Sequence, residues 1–169
     1  MTQKSLTPHG PGFSFVDSCE IVEAGKKARG VKWLDPASPW FADHFPGDPL
    51  MPGVFLVECA AQVAGVLWQS HPGKGELWQS ARIEKKPSPL QGQITLLRAK
   101  PSWEGWGRVI FLAQIQNFRF LKTVRPDQTL EVEVTLEKDF GTLAQFEAVL
   151  RVGRELVASG KLTMSRQKG

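Results

Sequence analysis

The sequence predicts an α+β fold in which an antiparallel sheet of about six strands wraps around one long central helix. Three observations predict it. Val54–Gln69 is an apolar run broken by polar side chains at Glu58, Gln62 and Gln69, and as a helix it spans about 24 Å. That helix is apolar on every side, so one flat contact would leave part of it wet and the sheet must curve around it. From Thr129 onward, apolar and polar residues alternate between short turns, the pattern of a meander with one dry and one wetter face.

Taken in order, residues 1–12 are rich in Thr, Ser, Pro and Gly and read as a flexible arm, with His9 a solvated tail histidine. A single domain is expected over 13–165, within the size one core supports. Cys19–Leu34 reads as a hairpin turning near Ala24-Gly25-Lys26. Asp35–Asp43, with Pro36 and Pro39, reads as a loop. His44–Gly53 is a tighter loop, where Pro46, Pro49 and Pro52 fix φ and Gly47 and Gly53 lack side chains. The central helix follows, and His71-Pro72-Gly73 stops it. Residues 70–107 form an extended insertion punctuated by Pro87, Pro89, Gly92, Pro101, Gly105 and Gly107, with a short strand at Gln93–Lys100. Trp78, Trp103 and Trp106 are assigned to packing and His71 to a helix cap.

Arg108–Phe120 reads as a long strand with apolar residues at both parities, as in a strand covered on both faces. Val124-Arg125-Pro126-Asp127 is a turn. Thr129–Asp139 then places Leu130, Val132, Val134 and Leu136 on one face. Ala144, Phe146, Ala148 and Leu150 repeat the pattern beyond Gly141, and Leu156, Ala158, Leu162 and Met164 repeat it beyond Gly153. Residues 166–169 are a polar tail.

Lys and Arg number 21 against 17 Asp and Glu, a net charge of +4. The basic residues are scattered and not interleaved with aromatics, so no nucleic acid partner is expected. The central apolar run is too short and too polar to cross a membrane. Cys19 and Cys59 are the only cysteines, and two thiols, one inside the apolar helix, make no disulfide framework. The N-terminal stretch lacks the apolar centre of a secretory signal, which together with the thiols places the protein in the cytoplasm. No cluster of Cys, His and carboxylates has metal-ligand spacing. There is no Gly-rich phosphate loop and no G-x-S-x-G elbow.

Glu58 is the residue that core packing does not account for, because a Glu is almost never fully buried without a partner. Gln62 lies four residues further along the same helix face. His44 stands just upstream on the proline-stiffened loop. An imidazole and a poorly solvated carboxylate are the two parts of an acid–base pair. Each alone has an ordinary structural reading, a loop cap for His44 and a buried acid for Glu58. Together, on this loop and this helix, they are the candidate catalytic residues.

The run His44-Phe45-Pro46-Gly47-Asp48-Pro49-Leu50-Met51-Pro52-Gly53, followed by Glu58 and Ala61-Gln62, resembles the signature of the hot-dog-fold 3-hydroxyacyl-[acyl carrier protein] dehydratases of fatty acid synthesis. A weaker likeness continues through Phe118-Arg119-Phe120 and Pro126 to the final strands. Glu at position 58 resembles the branch that only dehydrates; the other branch carries Asp there, and some of its members also isomerise the double bond. The resemblance implies a hot dog, a sheet wrapped around a helix, assembled as a homodimer or a higher oligomer such as a hexamer. It implies an active site shared between chains, with His44 of one facing Glu58 of the other.

On this resemblance the substrate is a 3-hydroxyacyl thioester on acyl carrier protein and the product the trans-2-enoyl thioester. His44 and Glu58 would move the protons at C2 and C3, with either assignment open. The Gly53 N–H would stabilise charge on the thioester oxygen, and the Leu50 carbonyl would orient the His44 ring. No metal or redox cofactor is implied, since phosphopantetheine arrives with the acyl chain. Two features depart from the family: the 70–107 link is longer than usual, and the turn after Val124 reads Pro-Asp-Gln in place of Pro-Gly-Asp. The first leaves the pathway open between fatty acid and related lipid or polyketide synthesis. Two rival readings keep the fold: an acyl thioesterase, which activates a water, and a non-catalytic acyl-binding protein.

Overall fold

The computed structural model describes residues 7, 9–70 and 109–166. The expected strand at Gln93–Lys100, His71, Trp78, Trp103, Trp106 and all of the insertion beyond Ser70 lie outside these residues, as does the tail beyond Arg166.

Strands β1 (Ser18–Glu23) and β2 (Lys27–Trp33) form the N-terminal hairpin. Strands β3 (Ile110–Phe120), β4 (Thr129–Asp139), β5 (Leu143–Val152) and β6 (Glu155–Arg166) follow the central helix. All pairings are antiparallel, and the order across the sheet is β1-β2-β4-β5-β6-β3, which leaves β1 and β3 at the edges. A short helix α1 (Pro39–Asp43) precedes the long helix α2 (Gly53–Gln69). Helix α2 packs against all six strands, most heavily against β4 and β2. This is the hot-dog arrangement expected from the sequence.

The alternation in the last three strands does what its period requires. Leu130, Val132 and Val134 of β4, Phe146, Ala148 and Leu150 of β5, and Ala158, Leu162 and Met164 of β6 all point into the core. Against them lies a helix buried almost throughout from Leu56 to Trp68. Strand β2 runs so close to α2 that a Cβ at Gly30 would stand 2.3 Å from Val63 Cγ2. The far end of α2 is fastened by Trp68, whose indole N–H donates to Asp139 Oδ2 at 3.0 Å. The Arg166 guanidinium lies 3.7 Å from the Trp68 ring centroid and donates to the Trp68 carbonyl at 2.6 Å, a stacked and hydrogen-bonded cation in one contact.

Four expectations are corrected. The loop at Asp35–Asp43 contains α1, a five-residue helix with Pro39 at its first position, too short to show a helical period. Helix α2 begins at Gly53, one residue before the expected start at Val54, with the Gly53 N–H at its N-terminus. Strand β3 is not covered on both faces: Phe111, Ile115 and Phe120 are about half exposed. Arg166 belongs to β6 and not to the tail.

Candidate active site

The loop between α1 and α2 is built to hold one imidazole. Prolines 46, 49 and 52 restrict it, and Gly47 takes a φ of +82°, a conformation that favours glycine. Its ends are tied down: His44 N–H donates to Trp40 O at 3.0 Å, Leu50 N–H to His44 O at 2.8 Å, and Met51 N–H to Val124 O at 2.7 Å. Arg125 donates to Asp48 Oδ1 at 2.5 Å, adding an ion pair between the loop and the turn before β4. Within this frame His44 is half-buried and stacks on Phe45 with ring centroids 4.2 Å apart. Its Nδ1 lies 3.0 Å from the Leu50 carbonyl. A carbonyl only accepts, so Nδ1 carries the proton and, in the neutral ring, Nε2 keeps its lone pair.

The loop delivers the chain to the N-terminus of α2 at Gly53. The first N–H groups of a helix have no partner within it and sit at the positive end of its dipole, where they favour developing negative charge. The ring of Phe120, from edge strand β3, covers this position, and a Cβ at Gly53 would meet it at 3.2 Å. Glycine at this position leaves room for the Phe120 ring to pack directly on the start of α2.

Glu58 lies on the second turn of α2 with its side chain 23% exposed. The sequence suggested a dry carboxylate, whereas in the single chain this one is partly wet. Gln62, 3% exposed, holds it: Gln62 Nε2 donates to Glu58 Oε1 at 2.9 Å and to the Phe13 carbonyl at 3.0 Å, and Gln62 Oε1 accepts from the Phe15 N–H at 3.0 Å. These three bonds fix which end of the amide is which. They also latch the N-terminal segment across α2. His9 consequently is not a solvated tail histidine. It is half-buried, packs on Phe13 at 5.4 Å between centroids, and brings Nε2 to 4.0 Å from Glu58 Oε1. Thr7 beside it is buried. The helix spacing of Glu58 and Gln62 was visible in the sequence, but the latch was not. No local pattern in a Pro- and Gly-rich arm marks it as covering a carboxylate.

A cavity of about 290 Å³ opens beside Glu58 and runs along α2 past Ala61, Gly65 and Gln69, with Leu112 and Met164 opposite. It has the apolar walls and few polar groups of a site for a chain-like ligand. The structure thus brings Glu58, Gln62 and His9 together at one end of a cavity, and His44, Leu50 and Gly53 together at the loop. Among the described residues His44 and Glu58 share no hydrogen bond or ion pair within one chain.

A family model described as "FabA-like domain" matches residues 7–95. The FabZ 3-hydroxyacyl-[acyl-carrier-protein] dehydratase of Bacillus velezensis is 34% identical over 162 residues, 96% of this chain and 93% of that protein. The enzyme of the same name from Pelotomaculum thermopropionicum is 33% identical, over 94% of this chain and 91% of its own. Among solved structures, the dehydratase heterocomplex ApeI:P from Xenorhabdus doucetiae superposes with a TM-score of 0.67, covering 96% of this chain and 88% of that one at 15% identity, a likeness of fold.

Proposed function

This chain belongs to the FabA-like family of 3-hydroxyacyl-[acyl-carrier-protein] dehydratases, and from that membership we propose which residues carry the reaction and how they are assembled. The chain is a hydro-lyase that dehydrates 3-hydroxyacyl thioesters in fatty acid synthesis. Its substrate is carried on acyl carrier protein, and the phosphopantetheine arm that brings it is the only prosthetic group the reaction needs.

His44 Nε2 takes the C2 proton, Glu58 in its acid form protonates the departing C3 hydroxyl, and water leaves as the C2–C3 double bond forms. Charge that builds on the thioester oxygen is met by the Gly53 N–H at the start of α2. The observation that supports this assignment above the others is the 3.0 Å contact of His44 Nδ1 with the Leu50 carbonyl, since it fixes the tautomer whose free nitrogen is a base. The two residues share no hydrogen bond or ion pair among the described residues of one chain, and the working unit is at least a homodimer, with His44 from one copy and Glu58 from the other. The half-exposed apolar row on edge strand β3 supports such an assembly. Two free, buried thiols accord with the cytoplasmic compartment read from the sequence.

Incubation with a 3-hydroxyacyl thioester separates this reading from a thioesterase of the same fold. A dehydratase yields the ultraviolet band of the conjugated enoyl thioester without free thiol, and a thioesterase yields thiol. His44→Ala and Glu58→Gln are each expected to lose roughly 10²–10⁴-fold in turnover while keeping the wild-type circular dichroism. Near-normal turnover in either variant would remove that residue from the mechanism.

A further inference from the structure

Gly65 lies two turns beyond Glu58, about one turn before the end of α2, and is buried. A glycine inside a helix weakens it relative to alanine, so its presence there asks for a reason. The usual reasons fail. Its φ is not positive, unlike that of Gly25, Gly47, Gly141 and Gly153. Among the described residues no atom of another element lies within 4 Å of where its Cβ would stand, whereas at Gly30 and Gly53 a neighbouring side chain already fills that space. The space at Gly65 is the cavity itself, which Gly65 lines together with Glu58, Ala61 and Gln69 along one face of the helix, opposite Leu112 and Met164.

We propose that Gly65 sets the length of acyl chain this enzyme accepts: its missing side chain keeps the cavity open about 10 Å along the helix beyond Glu58, where the tail of a long acyl chain lies. The proposal rests on the dehydratase reading, which puts the reacting carbons at Glu58. A side chain at position 65 projects into the path of the tail and leaves the carbons near the thioester untouched. A long chain must then bend, withdraw, or lose its apolar contacts, and a single methylene group in an apolar pocket already discriminates about tenfold or more.

The test is the ratio of kcat/KM for a long over a short 3-hydroxyacyl thioester, measured for the wild type, Gly65→Ala and Gly65→Leu, with a thermal melt of each. Gly65→Leu is expected to lower the long-to-short ratio by at least about tenfold, and Gly65→Ala by a smaller factor in the same direction. Gly65→Ala is also expected to melt roughly 1–3 °C above the wild type, because it removes a helix-weakening glycine without a clash. An unchanged ratio in both variants, or an equal loss on long and short substrates, overturns the proposal. If Gly65→Leu does not fold, the alanine ratio decides. A wild type that dehydrates no chain length would instead overturn the dehydratase reading, so the two failures are distinguishable.

Discussion

At the scale of single residues, Gln62 does more than its position announces. Its amide satisfies the Phe15 N–H and the Phe13 carbonyl while holding Glu58. These partners lie 47 and 49 residues earlier in the chain, which is why the sequence offered only the i,i+4 spacing to Glu58. His44 and Glu58 stood out as candidates because a rigid Pro-Gly loop and an acid in an apolar helix are locally unusual. His9 was not, because its environment is made entirely by residues far along the chain. Replacing Gln62 by Met keeps the volume but leaves a buried N–H and a carbonyl without partners, at a cost of about 2–4 kcal/mol. The expected fall in Tm is roughly 5–10 °C. Because Glu58 also loses its restraint, kcat should fall roughly tenfold to a hundredfold in the protein that remains folded. A Met variant that melts and turns over like the wild type would show the latch to be decorative.

At the scale of elements, β4, β5 and β6 follow the period of two read from the sequence because each has one face on α2. Strand β3 carries apolar residues at both parities, and Phe111, Ile115 and Phe120 stay about half exposed; among the described strands it ends the sheet. A sequence window contains no information about which strand ends the sheet. The turn before β4 lies where the sequence places it, but its backbone conformation is unusual for the residue it holds. Asp127 takes a φ of +62°, held by its N–H donating to Leu34 O at 2.8 Å, at the position where the family usually carries glycine. Aspartate tolerates this region better than most residues but less well than glycine. Asp127→Gly relieves that strain and gives back part of the gain as backbone entropy, so a net stabilisation of about 0.5–1 kcal/mol is expected, or roughly 1–4 °C in Tm. Asp127→Ala, which has neither local hydrogen bonding nor backbone freedom, should melt below the wild type. A glycine variant less stable than the wild type would mean that the Asp127 side chain supports the turn.

At the scale of the whole molecule, the fold divides the proposed machinery between two places. The loop holds a base and the start of α2 holds an amide, while the carboxylate faces a cavity under the N-terminal segment. Among the described residues of one chain no hydrogen bond or ion pair links the two halves, in keeping with the shared site that the resemblance implies. The edge of β3 offers a way to join them, since among the described strands its outer side has no partner, and an exposed edge with Ile115 49% exposed is a surface that natural proteins cover. Ile115→Lys is expected to lower the mass measured by light scattering from at least two copies to one and to abolish turnover with it. A sharper test uses two inactive variants. In a symmetric dimer of His44→Ala with Glu58→Gln, one site receives both altered residues and the other receives both native ones. Random assembly of the two chains, coexpressed in equal amounts, makes half the dimers mixed, so about a quarter of wild-type activity should return. If His44 and Glu58 instead worked within one chain, every site would carry one altered residue and no activity would return on mixing. Restoration near one quarter can arise only from a site that draws its histidine and its glutamate from different copies.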